Sequence, residues 1–228
     1  MLCFRIFFRY NQVIRKRKAA EIMHILRADE LNAKDTYKLL SGTVVPRPIA
    51  FVTTRSSING AVNAAPFSFY NVVSADPPLL AISVSRADGR QKDTARNALA
   101  HREFVVHVSD ESIIEDINKT AARLDPDVSE LGMTDLSVTD SACISVPGIK
   151  EAKVRFECIL ERHLPFQNDS GETTTDLIIG RVVCFHLNDQ VYDADKGYIR
   201  TDELQPAARL AGNEYARLGN TYTLVRPT

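Results

Sequence analysis

Apolar and β-branched residues occur in short runs along most of the chain, and turn-forming residues separate these runs. The runs at 43–54, 61–65, 79–85, 103–109, 153–164 and 176–188 each predict a β-strand. Pro46 and Pro48 cannot donate to a ladder, so the start of the first run is expected at a sheet edge or a bend. Asn59-Gly60 predicts the turn that follows this run. The pattern indicates a strand-rich domain.

A helical period of apolar residues is found in two places. Residues 92–101 predict a helix with Asp93 as its N-cap, and residues 112–124 predict a second helix with a capping box of Ser112 and Glu115. The helices do not alternate regularly with the strands, which argues against a doubly wound parallel sheet. We therefore expect a mainly β fold, an antiparallel barrel with inserted helices.

Charge separates the start of the chain from the rest. The first twenty residues hold six basic residues and no acidic one, whereas the remainder holds 22 basic and 29 acidic residues. For residues 1–22 three explanations stay open: a dispensable extension, an extra helix or strand packed on the domain, or a targeting segment. Because no repeat and no Ser/Gly-rich linker divides residues 23–228, we expect them to form one domain.

Composition excludes several classes of function. An acidic body offers no footprint for nucleic acid, and no apolar run is long enough to span a membrane. The four cysteines form no CxxC and the five histidines no HExxH, so we expect no metal site, reduced thiols and a cytoplasmic location. Dinucleotide, phosphate-loop and GxSxG hydrolase motifs are also absent from the sequence.

Three local patterns are candidates for a binding site. Arg47 lies between two prolines and is presented rigidly, or else the prolines only protect a sheet edge. The segment 63–71 combines small residues, amides, a hydroxyl and aromatic rings, which suits a planar ligand or an irregular turn in the core. Residues 90–94 place a cation and a hydroxyl at a helix start, where a phosphate binds well, although such helix starts are common. Together they outline a mononucleotide with an aromatic head, such as FMN.

At these residues the chain resembles the flavin reductase-like, FMN-binding split-barrel family, in its flavoredoxin-like branch. The resemblance runs from about residue 37 to 227 and rests on PRPIAFVTT (46–54), NAAPFSFYN (63–71), DGRQKDTARN (88–97) and ARLAGNEYARLG (208–219). It implies a six-stranded antiparallel Greek-key split barrel, and a homodimer with FMN, in preference to FAD, near the subunit interface.

The pattern and the resemblance together imply a set of cofactor-binding residues. Residues 92–94 would hold the phosphate, and residues 63–68 would contact the ring and ribityl chain. Arg47 would stabilise the N1–C2 edge of the reduced flavin, and residues near the C-terminus would face the open side of the ring or complete the partner subunit's site. The expected residues are Arg47, Pro48, Thr53, Thr54, Asn63, Ala64, Ala65, Ser68, Asn71, Lys92, Asp93, Thr94, Arg209, Asn213 and Tyr215.

The resemblance implies an NAD(P)H-dependent flavin reductase that passes electrons to a small molecule, to free flavin or to a partner monooxygenase. No catalytic side chain is expected, because the flavin carries the chemistry. NAD(P)H would dock transiently, since the sequence has no dinucleotide fingerprint. Two alternatives stay open: an FMN-binding electron-transfer module that a protein partner reduces, and an interaction barrel without a cofactor.

Overall fold

A computed structural model describes residues 23–227. The chain forms two compact units, one ending at Tyr37 and the other beginning at Lys38. The three explanations for residues 1–22 concern a segment outside the described residues. In the described part of the first unit, Arg27 pairs with Asp29 at 2.7 Å and with Glu30 at 3.4 Å, all on the surface.

The helices are few and short. They are α1 (Ala33–Thr43), α2 (Asp93–His101), α3 (Ile114–Lys119), α4 (Thr201–Leu204) and two 3-10 helices, Ala28–Glu30 and Glu130–Met133. None of the helices within residues 23–227 has the length and the apolar character needed to cross a membrane.

Strands outnumber helices in the second unit. They are β1 (Arg47–Pro48), β2 (Ala50–Arg55), β3 (Val62–Phe67), β4 (Tyr70–Ala75), β5 (Pro78–Ser85), β6 (Glu103–Val108), β7 (Val138–Thr139), β8 (Gly148–Ile149), β9 (Val154–Gln167), β10 (Thr173–Leu187), β11 (Tyr192–Asp193), β12 (Tyr198–Ile199), β13 (Ala208–Arg209) and β14 (Tyr215–Ala216). All six long runs predicted from the sequence contain a strand, and the predicted turn lies between β2 and β3.

The main sheet has seven antiparallel strands in the order β3-β2-β6-β9-β10-β5-β4. Its two edge strands, β3 and β4, are consecutive in the chain and are joined only by Ser68 and Phe69. The sheet must therefore curl until its edges meet at that bend, which makes a barrel that is closed at one corner. This confirms the mainly β barrel, with one difference: β4 lies in a segment for which the sequence predicted no strand, so the main sheet has seven strands instead of six.

Two apolar cores lie on the two faces of β2. Ala50 and Val52 point into the barrel, where they pack with Phe104 and with Ala95 and Ala98 of α2. Phe51 points outward and packs under α3, because successive residues of a strand face opposite sides. Helix α2 therefore covers the barrel interior, and α3 covers the outer side of the same strands.

Both helix starts differ from the prediction. Lys92, not Asp93, is the N-cap of α2, and it makes no side-chain capping bond. Helix α3 is shorter than residues 112–124, and Ser112 hydrogen-bonds to the Asp110 carboxylate instead of forming a capping box with Glu115. The competing acceptor two residues earlier in the chain explains the lost capping box.

Candidate functional site

The N-terminus of α2 lies where strand β3 begins. The first amide N–H groups of any helix have no partner within it and form the positive end of its dipole. In α2 these groups belong to Asp93 and the residues after it, since the Arg96 amide is the first to bond back, to the Lys92 carbonyl at 3.0 Å. This helix start therefore has the donors that an anion requires.

Two cations lie next to each other at this helix start. Desolvation and the positive charge of Arg123 both lower the pKa of Lys92. Among residues 23–227, neither Lys92 nor Arg123 forms an ion pair with a carboxylate. A bound anion would relieve their mutual repulsion. Arg123 was missed in the sequence, because it comes from a distant loop after α3.

Asp93 was expected to contact the phosphate directly, but its side chain is engaged elsewhere. Its carboxylate accepts a hydrogen bond from the Asp127 amide at 2.8 Å and pairs with Arg96 at 2.9 Å. Arg96 also pairs with Asp127 at 2.7 Å. The Asp93 side chain therefore fixes the loop beside α2, and only its backbone N–H is directed as an anion donor.

Thr94 and Asn63 meet although they belong to different elements. The Thr94 hydroxyl donates to the Asn63 side-chain oxygen at 3.1 Å, and both residues are buried. The Asn63 side-chain amide donates to the Glu130 carboxylate at 2.9 Å, and the Ala64 amide donates to the same carboxylate at 3.0 Å. The structure thus brings three expected residues to one place, and it adds Glu130, which sequence reasoning did not find.

Glu130 contributes a half-buried carboxylate to the contact between α2 and β3. Burial raises the pKa of Glu130, against the opposing effect of the hydrogen bonds from Ala64 and Asn63. The residue lies in the 3-10 helix Glu130–Met133, far from β3 in the sequence, and no motif marks it. It holds the β3 donors in one orientation.

The expected pair Thr53 and Thr54 does not face one ligand. The Thr53 hydroxyl donates to the Pro147 carbonyl at 2.7 Å, whereas Thr54 accepts a hydrogen bond from the Asn97 side chain of α2 at 3.3 Å. Both residues are fully buried. Because adjacent residues of a strand point to opposite faces, only Thr54 lies on the side of α2. The hydroxyls of Thr53 and Thr54, which were expected to lie along one cofactor, therefore do not face a common site.

Arg47 is buried, and its guanidinium is occupied by the protein. It donates to the Ser41 carbonyl at 2.5 Å, the Val44 carbonyl at 2.7 Å and the Leu210 carbonyl at 2.8 Å. Its Nε lies 3.5 Å from the Ser68 hydroxyl. Arg47, which the sequence analysis placed along the cofactor, here joins the end of α1 to the C-terminal segment and does not point into an open site.

The C-terminal candidates gather around the same arginine. Arg209 is the cross-strand partner of Arg47 and lies over the Tyr215 ring at 4.6 Å. The Tyr215 hydroxyl donates to the Asn118 side chain at 2.9 Å, and Asn213 is exposed in the turn between β13 and β14. The expected residues therefore form two groups at opposite ends of β3, about 17 Å apart along the strand.

An apolar cavity of about 650 Å³ lies beside the second group. It is walled by the bent strand β4, by β5 and β10, and by the segment 206–208. Of the expected residues, Pro48 and Asn71 line it, while Ala64 and Ala65 instead pack in the outer and inner cores. Its walls suit an apolar, planar group.

A buried carboxylate anchors the loop that leads into α2. Asp176 of β10 accepts two hydrogen bonds from Arg86 at 2.9 Å, one from Gln91 at 3.1 Å and one from His163 at 2.8 Å. Burial alone would raise the pKa of Asp176, but the hydrogen bonds from Arg86 and His163 outweigh it and lower this pKa. The network fixes both ends of the segment that presents Lys92.

Comparison with known proteins agrees with this architecture. The family model described as "Flavin reductase like domain" matches residues 41–203. The Bacillus subtilis protein YwrF is 73% identical over 206 residues, which cover 90% of this chain and 100% of that protein.

Solved structures are similar over most of their length. Nitrilotriacetate monooxygenase component B from Bacillus cereus has 47% identity and a TM-score of 0.86, with 90% of this chain and 100% of that chain covered. Pseudomonas fluorescens 2-nitrobenzoate 2-nitroreductase NbaA has 33% identity and a TM-score of 0.81, covering 90% and 97%. A putative flavin reductase with a split-barrel domain from Shewanella frigidimarina, at 20% identity, has a TM-score of 0.76 with 90% and 100% covered, and supports the split-barrel fold.

Proposed function

The chain belongs to the family of flavin reductase like domains, and from this premise we propose that it is an FMN-dependent oxidoreductase that takes electrons from NAD(P)H. The observation that carries the proposal is the pair of cations, Lys92 and Arg123, at the start of α2, with neither in an ion pair among the described residues. Helix N-terminus, cations and family membership together favour a phosphate-bearing flavin.

The residues at α2 fit the phosphate of FMN. Lys92 and Arg123 offer two positive charges, and the first-turn amides of α2 offer directed N–H donors. Thr94 is buried and hydrogen-bonded to Asn63, so it holds the start of α2 in a fixed position relative to β3. When bound, FMN would supply a ring that accepts a hydride and passes electrons on.

The protein's own part in the reaction is to bind and to orient. Glu130 holds the Asn63 amide and the Ala64 N–H, and Asp176 holds the loop before α2. The apolar cavity, which includes Pro48 and Asn71, excludes water from whatever planar group it receives. No side chain of the site is assigned as a proton donor or acceptor, because hydride transfer to a flavin needs none.

We further propose a cytoplasmic homodimer that passes electrons to a small molecule, to free flavin or to a partner oxygenase. An apolar surface supports association with a second copy: Val72 and Phe185, which line the cavity, are 66% and 56% exposed. The oxygenase partner is favoured by the similarity to component B of nitrilotriacetate monooxygenase. Light scattering of the purified protein measures the dimer directly.

Spectroscopy of the purified protein tests the proposed activity. We expect the protein to bind one FMN per chain, and to lose the oxidised flavin band at about 450 nm when NADH or NADPH is mixed with it in the absence of oxygen. A protein that binds FMN but is reduced only by dithionite would overturn NAD(P)H as donor and favour the electron-transfer module. A protein that binds no FMN would overturn the cofactor assignment.

A further inference from the structure

Two cysteines that are far apart in the sequence meet over the β9–β10 ladder. Cys184 of β10 is the cross-strand partner of Glu157 of β9, and Cys143 lies in the loop between β7 and β8. The two Sγ atoms and a carboxylate oxygen of Glu157 all lie within 4.8 Å of one another. None of these residues belongs to the flavin site proposed above.

The loop is held in place by the carboxylate itself. The Ala142 amide donates to one oxygen of Glu157 at 2.6 Å, and the Cys143 amide donates to the other oxygen at 2.7 Å. Glu157 is completely buried, while Cys143 is exposed and Cys184 is half-buried. The cluster is therefore fixed from below and open to solvent on one side.

The neighbouring histidine completes the carboxylate's hydrogen bonding. Arg155 lies 3.3 Å from His186 Nδ1, and since arginine only donates, Nδ1 is an acceptor. The proton of the neutral ring is then on Nε2, which donates to Glu157 at 2.5 Å. The carboxylate oxygen bonded to His186 also accepts from Ala142, so its two lone pairs are used. The other oxygen keeps one lone pair free.

We propose that Cys143, Cys184 and Glu157 form a binding site for a thiophilic divalent cation of the Zn²⁺ type. Two sulfurs and one oxygen are a donor set that zinc accepts, and three protein ligands leave a fourth position for water on the exposed side. Two thiolates, a carboxylate and a divalent ion sum to one negative charge, which is offset by the guanidinium of Arg155, 3.3 Å from His186. His186 orients the carboxylate, as outer-shell partners do in metal sites.

The expectation from the sequence was that no metal site exists, because close pairs of cysteine are missing. The structure makes a pair across the ladder instead. A β-bulge between Val182 and Cys184 shifts the strand register immediately before the site. Cys184 and His186 then lie on one face, two residues apart.

Cobalt is the probe for the test, because its thiolate complexes absorb light. The full chain is reduced, freed of metal with a chelator and titrated with Co²⁺, after which Zn²⁺ competes with a coloured chelator. We expect one equivalent of Co²⁺ with a sulfur-to-cobalt charge-transfer band, which Zn²⁺ removes. Cys143→Ser, an exposed substitution, should weaken Zn²⁺ binding by more than about tenfold. Cys158→Ala, a change to the buried cysteine of the barrel core, should leave the binding intact.

Two results would overturn the proposal. One is a reduced protein that shows no charge-transfer band, with a mass spectrum of the air-exposed protein that instead reveals a Cys143–Cys184 disulfide. The other is a band and an affinity that Cys143→Ser leaves unchanged. Both readouts are independent of flavin binding, so they do not depend on the proposed function.

Discussion

The Thr94 hydroxyl donates to the Asn63 side-chain oxygen over 3.1 Å, so the first turn of α2 and the start of β3 hold each other at one point. Any ligand that uses the α2 amides therefore meets a helix whose position relative to the barrel is fixed.

Removing the cation and the hydroxyl at the start of α2 should weaken FMN binding. For the double variant Lys92→Ala with Thr94→Ala we expect a loss of about 1–3 kcal/mol, the scale of charge-assisted hydrogen bonds. Fluorescence titration of FMN measures it, and Lys150→Ala, a change to an exposed lysine, is the matched control. Equal affinity in both variants would place the phosphate elsewhere.

Neutralising Glu130 should tighten FMN binding. Glu130→Gln removes a negative charge that Asn63 connects to Thr94, at the proposed phosphate position. The glutamine keeps an oxygen for the Ala64 amide, which donates to the Glu130 carboxylate at 3.0 Å. We expect a gain of about 0.5–1 kcal/mol that shrinks at high salt. Titrations at low and high ionic strength measure this, and weaker binding in the variant would show that the carboxylate's hold on Asn63 matters more than its charge.

Replacing Arg47 by lysine should lower the free energy of unfolding. A lysine cannot reach the three carbonyls of Ser41, Val44 and Leu210 at once, because it lacks the planar fork of donors. We expect a loss of roughly 2–4 kcal/mol in urea unfolding, with FMN affinity of the folded protein nearly unchanged. A large drop in FMN affinity without a loss of stability would instead show that Arg47 contacts the flavin.

Acid should destabilise the protein through His107. The Ile149 amide donates to His107 Nε2 at 2.8 Å, so Nδ1 carries the proton and donates to the Phe51 carbonyl at 2.8 Å. Burial lowers the pKa of His107 to about 4, whereas the imidazole of an unfolded chain has a pKa of about 6.5. Between these values only the unfolded chain takes up the proton.

The contribution of His107 to the free energy of unfolding is therefore fully present above about pH 6.5. It is lost as the pH falls toward about 4, and the total loss is about 3 kcal/mol. Urea unfolding across this range measures it. His107→Gln keeps a donor and an acceptor without a titrating ring, so its stability should fall less with acid. Identical pH slopes in the two proteins would contradict the assignment.

Adding one methyl group to Gly180 should disrupt the barrel core. A Cβ there would overlap the ring of Phe104, which is 1% exposed, and would crowd Cys158. We expect Gly180→Ala to lower the melting temperature and to reduce the free energy of unfolding by about 1–3 kcal/mol. Gly219→Ala is the control, because nothing lies within 4 Å of its Cβ. A melting temperature equal to that of the control would show that the core has room.

The strands were predictable because each is a local run of β-branched and apolar residues. The bend at Ser68–Phe69 was not, since it depends on the sheet's two edges meeting. The predicted start of α3 was wrong because Asp110, which lies outside the assumed capping box, accepts the hydrogen bonds of Ser112. Local chemistry drew attention to Thr94 and Asn63, which the structure brings together, whereas Glu130 and Arg123 come from remote segments and no local pattern marks them.

The bend between β3 and β4 also ties two distant parts of the chain together. The two edge strands leave it toward different neighbours, β3 along β2 and β4 along β5. Arg47 lies 3.5 Å from the Ser68 hydroxyl and 6.0 Å from the ring of Phe69, and its guanidinium also donates to the Leu210 carbonyl. One buried side chain therefore links the corner of the barrel to the C-terminal segment, so a substitution at Arg47 acts on both.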